Sequence, residues 1–296
     1  MKRRDRRRKV LACLLSFPGN GGGIVADQSI SVDALSPAQT EAKAETLGIS
    51  KGSMPAGRIF VAAMLAGAFI GFGAMFFCLF TSDSSLPFAV QRAGGGACFC
   101  LGLVLVLCCG AELFTGNSLM VCSLFSKKIG AGQLARNWAI VWLGNLAGSL
   151  VVVFLVCASQ MGAMNGGAVG TTMVNVASSK ASLAPATIFA KGILCNVLVC
   201  LAVWIGFSAR SVVDKVLGIF LPITAFVACG FEHCVANMFF LPSGLLMNML
   251  GVGNPGAIAL EGLVANIVIA TLGNIVGGVA VGTAYWFAYR TRENRA

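Results

Sequence analysis

Two copies of one short polar motif interrupt apolar stretches of the chain. The first reads Cys-Gly-Ala-Glu and ends at Glu112, and the second reads Cys-Gly-Phe-Glu and ends at Glu232. Each glutamate precedes an asparagine by five residues, Asn117 or Asn237. Irregular backbone survives at membrane depth only where protein shields it or where it faces a wet cavity. The motifs therefore predict two broken segments that line a path for a polar solute; the alternative is a polar contact between helices.

The two carboxylates have symmetric positions, which favours a structural role over contact with solute. A bare carboxylate at the bilayer centre is costly, so it must be protonated or hydrogen-bonded. We expect Glu112 and Glu232, with Asn117 and Asn237, to brace the broken loops, the carboxylates against backbone N–H groups.

His233 is the single histidine of the chain and lies inside the second break. Imidazole changes charge near neutral pH, so it can donate a hydrogen bond to an anion or exchange a proton with it. The alternative is a packed, neutral histidine bonded to a neighbour such as Glu232. One histidine and twelve cysteines spread over apolar segments lack metal-ligand clustering, so we expect no metal site, no cofactor and reduced, packed cysteines.

Lys180 lies alone in the loop between two apolar segments. It could draw small anions toward a mouth, or it could be a solvated loop lysine. Lys191, just inside the next apolar segment, could extend its ammonium to the surface, and no function is assigned to it.

The composition indicates an integral membrane protein. Of 296 residues, 57% are hydrophobic and 11% are charged, whereas a soluble domain carries about 25% charged residues. The net charge of +10 comes largely from residues 2–9, which indicates a cytoplasmic tail rather than nucleic-acid binding.

The domain boundaries follow from hydropathy. Residues 1–35 form a basic tail that we expect to be disordered, 36–56 an amphipathic surface helix that Ser36 caps, 57–290 the transmembrane domain and 291–296 a cytoplasmic tail. Six spans are predicted, at about 57–81, 94–125, 138–161, 185–207, 216–241 and 257–289, the second and fifth being broken. Lysine and arginine are concentrated in every second loop and at both termini, which predicts that both termini lie in the cytoplasm.

The repeat extends beyond the two motifs. Gly144-Asn145 in the third span and Gly273-Asn274 in the sixth stand in matching contexts. Three spans per copy force the copies into opposite orientations. The predicted fold class is therefore an all-α membrane protein of six helices arranged as an inverted 3+3 repeat.

At these residues the sequence resembles the formate/nitrite transporter family, over residues 35–290. The resemblance implies an aquaporin-like homopentamer with one pore per protomer, Thr115 and His233 as its central polar pair, and a loop at 112–117 that gates the inner mouth. It also implies Lys180 as an electrostatic attractor, and it assigns the apolar constrictions and pore-lining amides to the following positions: Phe99, Leu103, Leu113, Val199 and Phe226 for the constrictions, and Asn196 and Asn274 for the amides.

The function expected from this resemblance is histidine-assisted passage of formate or nitrite across the inner membrane, with proton coupling that depends on pH. A hydrosulfide channel of the same family is the close alternative. An aquaporin-like pore for neutral solutes is a different class, but neither break carries the proline of paired Asn-Pro-Ala boxes. A membrane enzyme is not expected, since Glu232, His233 and Cys234 offer too few ligands for a metal or redox site.

Overall fold

The computed structural model describes residues 33–254, 256 and 258–290, and the described regular structure is helical throughout. The basic tail before residue 33 and the last six residues lie outside the described residues. The α-helices are α1 (Pro37–Ser53), α2 (Ala56–Thr81), α3 (Phe88–Cys109), α4 (Val121–Phe125), α5 (Ala131–Ala158), α6 (Ala168–Ala181), α7 (Pro185–Ser208), α8 (Val212–Ala228), α9 (Cys234–Met249) and α10 (Leu260–Tyr289).

The chain is an all-helical membrane protein with five long apolar helices and several shorter ones. Among the described residues, α2, α3, α5, α7 and α10 are long and apolar enough to cross a membrane. The second and fifth predicted spans are each two helices: α3 is followed by a 3₁₀ turn (Gly116–Met120) and α4, and α8 is followed by α9.

Several predicted helix boundaries are wrong. Helix α3 begins at Phe88 rather than near residue 94, α5 at Ala131 rather than near 138, and α9 continues to Met249 rather than to about 241. Hydropathy locates the part of a helix that lies in hydrocarbon, whereas the hydrogen-bonded helix continues into polar turns beyond it.

Helix α6 is not predicted from the sequence. It covers Ala168–Ala181, and Lys180 lies in its last turn rather than in an open loop. Its mixed composition has neither the length nor the apolar character of a span, which is why hydropathy assigned this region to a connection.

Helix pairs of the two repeats pack through glycines at matching positions. In the first repeat, a Cβ at Gly148 of α5 would lie 1.9 Å from the backbone oxygen of Met64 in α2. In the second repeat, a Cβ at Gly277 of α10 would lie 2.3 Å from the backbone oxygen of Ile193 in α7. Both distances are shorter than any Cβ contact allows, so these glycines permit the close approach of the long helices.

Each broken segment begins at a glycine with a left-handed backbone. Gly110 follows α3 with φ +81°, and Gly230 follows α8 with φ +69°. The next residue bonds back across the helix end in both copies, from Ala111 N to Val106 O and from Phe231 N to Phe226 O, each at 3.0 Å. Glycine adopts this conformation without the steric cost that other residues have, and the helix therefore ends there.

The two ends of the bundle differ in what covers them. Helix α1 and the end of α10 lie on one face, which we call the terminal face; there Lys43 Nζ donates to the carbonyl of Phe207 at the end of α7 over 2.6 Å. Ser36 caps α1 through a capping box with Gln39. The opposite face, which we call the distal face, carries α6 and the turn between α2 and α3.

Candidate functional site

A cavity of about 320 Å³ leads from the distal face toward the middle of the bundle. Asn175 and Ser179 of α6 lie at its exposed end, and His233 lies at its buried end. The second break therefore borders an open space.

His233 is held by two hydrogen bonds in the centre of the fold. It is the N-cap of α9, where its Nδ1 accepts from the Ala236 N–H at 3.0 Å, and its Nε2 lies 3.0 Å from Thr115 Oγ1. Because Nδ1 uses its lone pair for the backbone N–H, the proton of the neutral ring lies on Nε2. The ring thus presents a donor toward Thr115, and the alternative of a bond to Glu232 is not the one that forms.

Two aromatic rings lie beside the imidazole and line the same cavity. The Phe99 and Phe226 centroids are 5.7 Å apart in an edge-to-face arrangement, and the Phe226 and His233 rings are stacked with centroids 5.8 Å apart. Both phenylalanines are buried. The cavity is therefore bordered by apolar rings next to the imidazole.

The other predicted constriction residues are buried away from that cavity. Leu103, Leu113 and Val199 are each at most 3% exposed, and none of them lines it. On the terminal side, a void of only about 10 Å³ lies between α1 and the first break. Among the described residues, the larger open space therefore lies on the distal side of His233, and the space beside the first break is small.

The second carboxylate forms an ion pair that the sequence did not predict. Glu232 Oε1 accepts from Lys180 Nζ at 2.9 Å, while Oε2 accepts from the side-chain amides of Asn237 and Asn266 at 2.7 and 3.1 Å. The predicted partners were backbone N–H groups, and this prediction is wrong. A charge buried this deeply is tolerated because each of its oxygens has donors.

The first carboxylate repeats the arrangement with different helices. Both oxygens of Glu112 accept from Lys51 Nζ of α1 at 2.9 Å, and Oε2 also accepts from Asn117 at 2.8 Å. Asn117 in turn donates to Asn137 of α5 at 2.9 Å. Each break is thus fixed by one lysine, one glutamate and two asparagines.

Two further asparagines hold the backbone of the breaks. Asn145 accepts from the Phe114 N–H at 2.9 Å and donates to the carbonyls of Ala63 and Glu112 at 2.8 and 2.9 Å. Asn274 makes the corresponding bonds in the second repeat. It accepts from the Cys234 N–H at 2.9 Å and donates to the carbonyls of Gly192 and Glu232, both at 2.8 Å. These side chains replace the bonds that unwound backbone lacks.

The predicted pore-lining amides do not line the described cavity. The side chain of Asn274 is bonded to the backbone of the second break, and Asn196 donates to the carbonyls of Thr115 and Asn274 at 3.2 and 2.6 Å. The Oδ1 atom of Asn196 is buried without a partner.

Sequence reasoning missed the partners that come from other helices. Lys51, Asn137 and Asn266 belong to α1, α5 and α10 and complete the two carboxylate sites. The matching spacing of Asn137 to Asn145 and Asn266 to Asn274, eight residues in both repeats, is the signal that would have found the asparagines.

Two oppositely directed breaks that meet at a buried histidine, below an open cavity, define a membrane pore protein. Comparison with known proteins gives the family. A model of the formate/nitrite transporter family matches residues 38–287. The chain is 37% identical to the formate channel FocA of Escherichia coli K12 over 88% of this chain and 96% of that protein. It is 36% identical to the nitrite transporter NirC of Salmonella typhimurium LT2, over 80% and 85% of the two chains.

Solved structures agree with this result. A pentameric formate channel with formate bound is 37% identical with a TM-score of 0.71, covering 79% of this chain and 97% of the other. An ion channel of the same family is 31% identical with a TM-score of 0.75, covering 84% and 98%. The chain belongs to the formate/nitrite transporter family, and it is a channel or transporter rather than an enzyme.

Proposed function

We propose that this protein conducts small monovalent anions of weak acids across the membrane, with formate as its main substrate. The observation that carries the proposal is the His233 imidazole, bonded to Thr115 at the buried end of an open cavity. Relatives described as formate channels support formate. The relative described as a nitrite transporter makes nitrite the second candidate.

In this mechanism, the two hydrogen-bonding side chains stabilise the anion where water is excluded. The Nε2–H of His233 donates to Thr115 Oγ1 at 3.0 Å, which leaves the threonine hydroxyl proton available to an anion on the lumen side. The apolar edges of Phe99 and Phe226 penalise a bare ion by several kcal/mol or more, whereas a neutral weak acid passes far more easily. The Thr115 hydroxyl, oriented by the His233 Nε2–H, therefore lowers the barrier by donating a hydrogen bond to the anion while the anion takes up a proton from water.

The assembly and orientation belong to the same proposal. A homopentamer is proposed because a solved relative is described as pentameric. The terminal face is assigned to the cytoplasm because Lys127, Lys128 and Arg210 lie in loops on that side, in the sense of the positive-inside rule. The distal cavity then opens outward.

The test is anion flux in proteoliposomes at an external pH of 5.5 and 7.5, across formate, nitrite, hydrosulfide, acetate and lactate. His233→Phe is expected to abolish pH-dependent uptake, while His233→Asn, which keeps a donor, retains part of the flux. Thr115→Ser is the matched control for Thr115→Val. Wild-type pH dependence in a folded His233→Phe protein would refute the histidine step, and absent formate flux in wild type would refute the substrate.

A further inference from the structure

The charged side chains around the distal cavity are not equivalent. The residues that line it include Arg92, Lys180, Lys191 and Glu232. Three of these are cationic and one is anionic, so the cavity has a net positive charge. The cations differ in whether a carboxylate partner cancels their charge.

Lys180 is neutralised locally. Its ammonium lies 2.9 Å from the buried carboxylate of Glu232, in a pair whose side chains are 16% and 2% exposed. At distances larger than the separation of the pair, the two opposite charges largely cancel. Lys180 therefore holds the second break together and contributes little net attraction, which differs from the role the resemblance implies.

Arg92 has no such partner. Its Nε donates to the carbonyl of Ala228 at 2.8 Å and its Nη2 to the carbonyl of Val227 at 3.4 Å, both at the end of α8. Its guanidinium lies against Gly230, where a Cβ would come within 2.7 Å of Nη2. Among the described residues, no carboxylate lies within ion-pair distance of Arg92. Backbone carbonyls fix its position and leave its full charge.

Arg92 also lies between two open spaces. A second cavity of about 770 Å³ on the distal face is lined by Arg92 and by hydroxyl and amide side chains, including Thr81, Thr172 and Asn175. Arg92 and Asn175 line both cavities. An anion in either cavity is thus close to the guanidinium.

Lys191 adds a second unpaired cation. It lies in the second turn of α7, is half-buried, and lines the narrower cavity beside the break. Its backbone carbonyl accepts from the Glu232 N–H at 3.3 Å, which places it next to the second break. Its ammonium likewise has no carboxylate partner among the described residues.

We propose that Arg92 and Lys191 form the anion-attracting site of the distal vestibule, which concentrates small monovalent anions in front of the Phe99 and Phe226 constriction. This site extends the proposed function, and it assigns to two residues the attraction that Lys180 cannot supply while paired. Fixed charges lining a cleft with low-dielectric walls raise the local concentration of counter-ions, and ionic strength weakens the effect.

The first test measures the potential of the vestibule without transport. Asn175→Cys places a thiol where both cavities meet, and its rate of modification is compared between an anionic and a cationic methanethiosulfonate reagent, after subtraction of the parent protein. Lys191→Gln and Arg92→Gln are each expected to lower the anionic-to-cationic rate ratio by about threefold, and by about tenfold together, at low ionic strength. Arg58→Gln removes an exposed cation of the terminal face and is the matched control, with no change expected.

The second test measures formate uptake in proteoliposomes. Lys191→Gln is expected to raise the apparent KM about threefold at low ionic strength with little change in the maximal rate, and the difference should close in about 1 M salt. Arg92→Lys, which keeps the charge, should behave closer to wild type than Arg92→Gln does.

The outcomes separate the two proposals. A rate ratio that does not change in Lys191→Gln and Arg92→Gln, or that changes equally in Arg58→Gln, overturns the vestibule site. A ratio that falls while wild type conducts no formate leaves the vestibule site standing and overturns the proposed substrate.

Discussion

The asparagine brackets allow a stability prediction with a defined magnitude. Asn274→Ala removes one acceptor and two donor bonds. The carbonyl of Gly192 lies inside α7 and keeps its helical bond, so the groups left without a partner are the Cys234 N–H and the Glu232 carbonyl. Each buried polar group without a partner costs about 1–3 kcal/mol, which gives a loss of about 2–6 kcal/mol.

Ser149→Ala is the matched control for this change. Ser149 is as buried as Asn274, but it makes one bond, 3.0 Å long, to the carbonyl of Gly67 inside α2. That carbonyl keeps its helical partner, so we expect a loss of only about 0.5–1.5 kcal/mol. Asn145→Ala should be as costly as Asn274→Ala, because its bonds correspond one to one.

The assay is thermal unfolding in detergent followed by tryptophan fluorescence, combined with formate uptake at one external pH. Asn274→Ala should melt well below Ser149→Ala and lose more flux, because the loop that carries His233 is no longer fixed. If both variants melt at the same temperature, the bracket does not hold the break, and the reasoning from orphaned backbone groups is refuted.

Three other changes test separate features. Gly230→Ala should lower the melting temperature more than Gly110→Ala does. Both positions have a left-handed backbone, which costs a non-glycine residue about 1–2 kcal/mol. Only the Cβ at Gly230 would also collide with Arg92. Gly277→Ala should weaken the contact of α10 with α7, and normal melting would contradict the close approach. Burial raises the pKa of Glu41 from 4.5 to about 8; the stability from its bound proton is complete below pH 4.5 and is lost as pH rises to 8, at about 1.4 kcal/mol per pKa unit. The melting temperature of Glu41→Gln should therefore change less between pH 5 and pH 8.5 than the melting temperature of wild type does.

Local patterns were sufficient to predict the class of fold and the position of the breaks. A repeated glycine followed by glutamate two residues later, inside apolar segments, favours unwound backbone that protein shields, and Gly110 and Gly230 do begin the two breaks. The helix starts were less predictable because residues such as Gln133 and Arg136 extend α5 into polar surroundings that hydropathy reads as loop.

The charge pairs were not predictable, because each joins helices that are distant in the chain. Lys51 reaches Glu112 across 61 residues and Lys180 reaches Glu232 across 52. No periodicity relates such positions, and a lysine at the end of a segment has the same local signature whether water or a carboxylate surrounds it. The free charge of Arg92 became apparent only once those pairs were assigned.

The inverted repeat keeps one scaffold in both copies and varies the residue that follows each glutamate. Leu113 and His233 both follow the glutamate of their motif and therefore occupy equivalent positions in the two copies, yet one is aliphatic and the other titratable. The two breaks consequently share the same bracing amides but differ in the side chain that each break carries beside them. An exchange of the two residues would therefore place an aliphatic side chain at the start of α9 and remove the imidazole nitrogen that accepts from the Ala236 N–H.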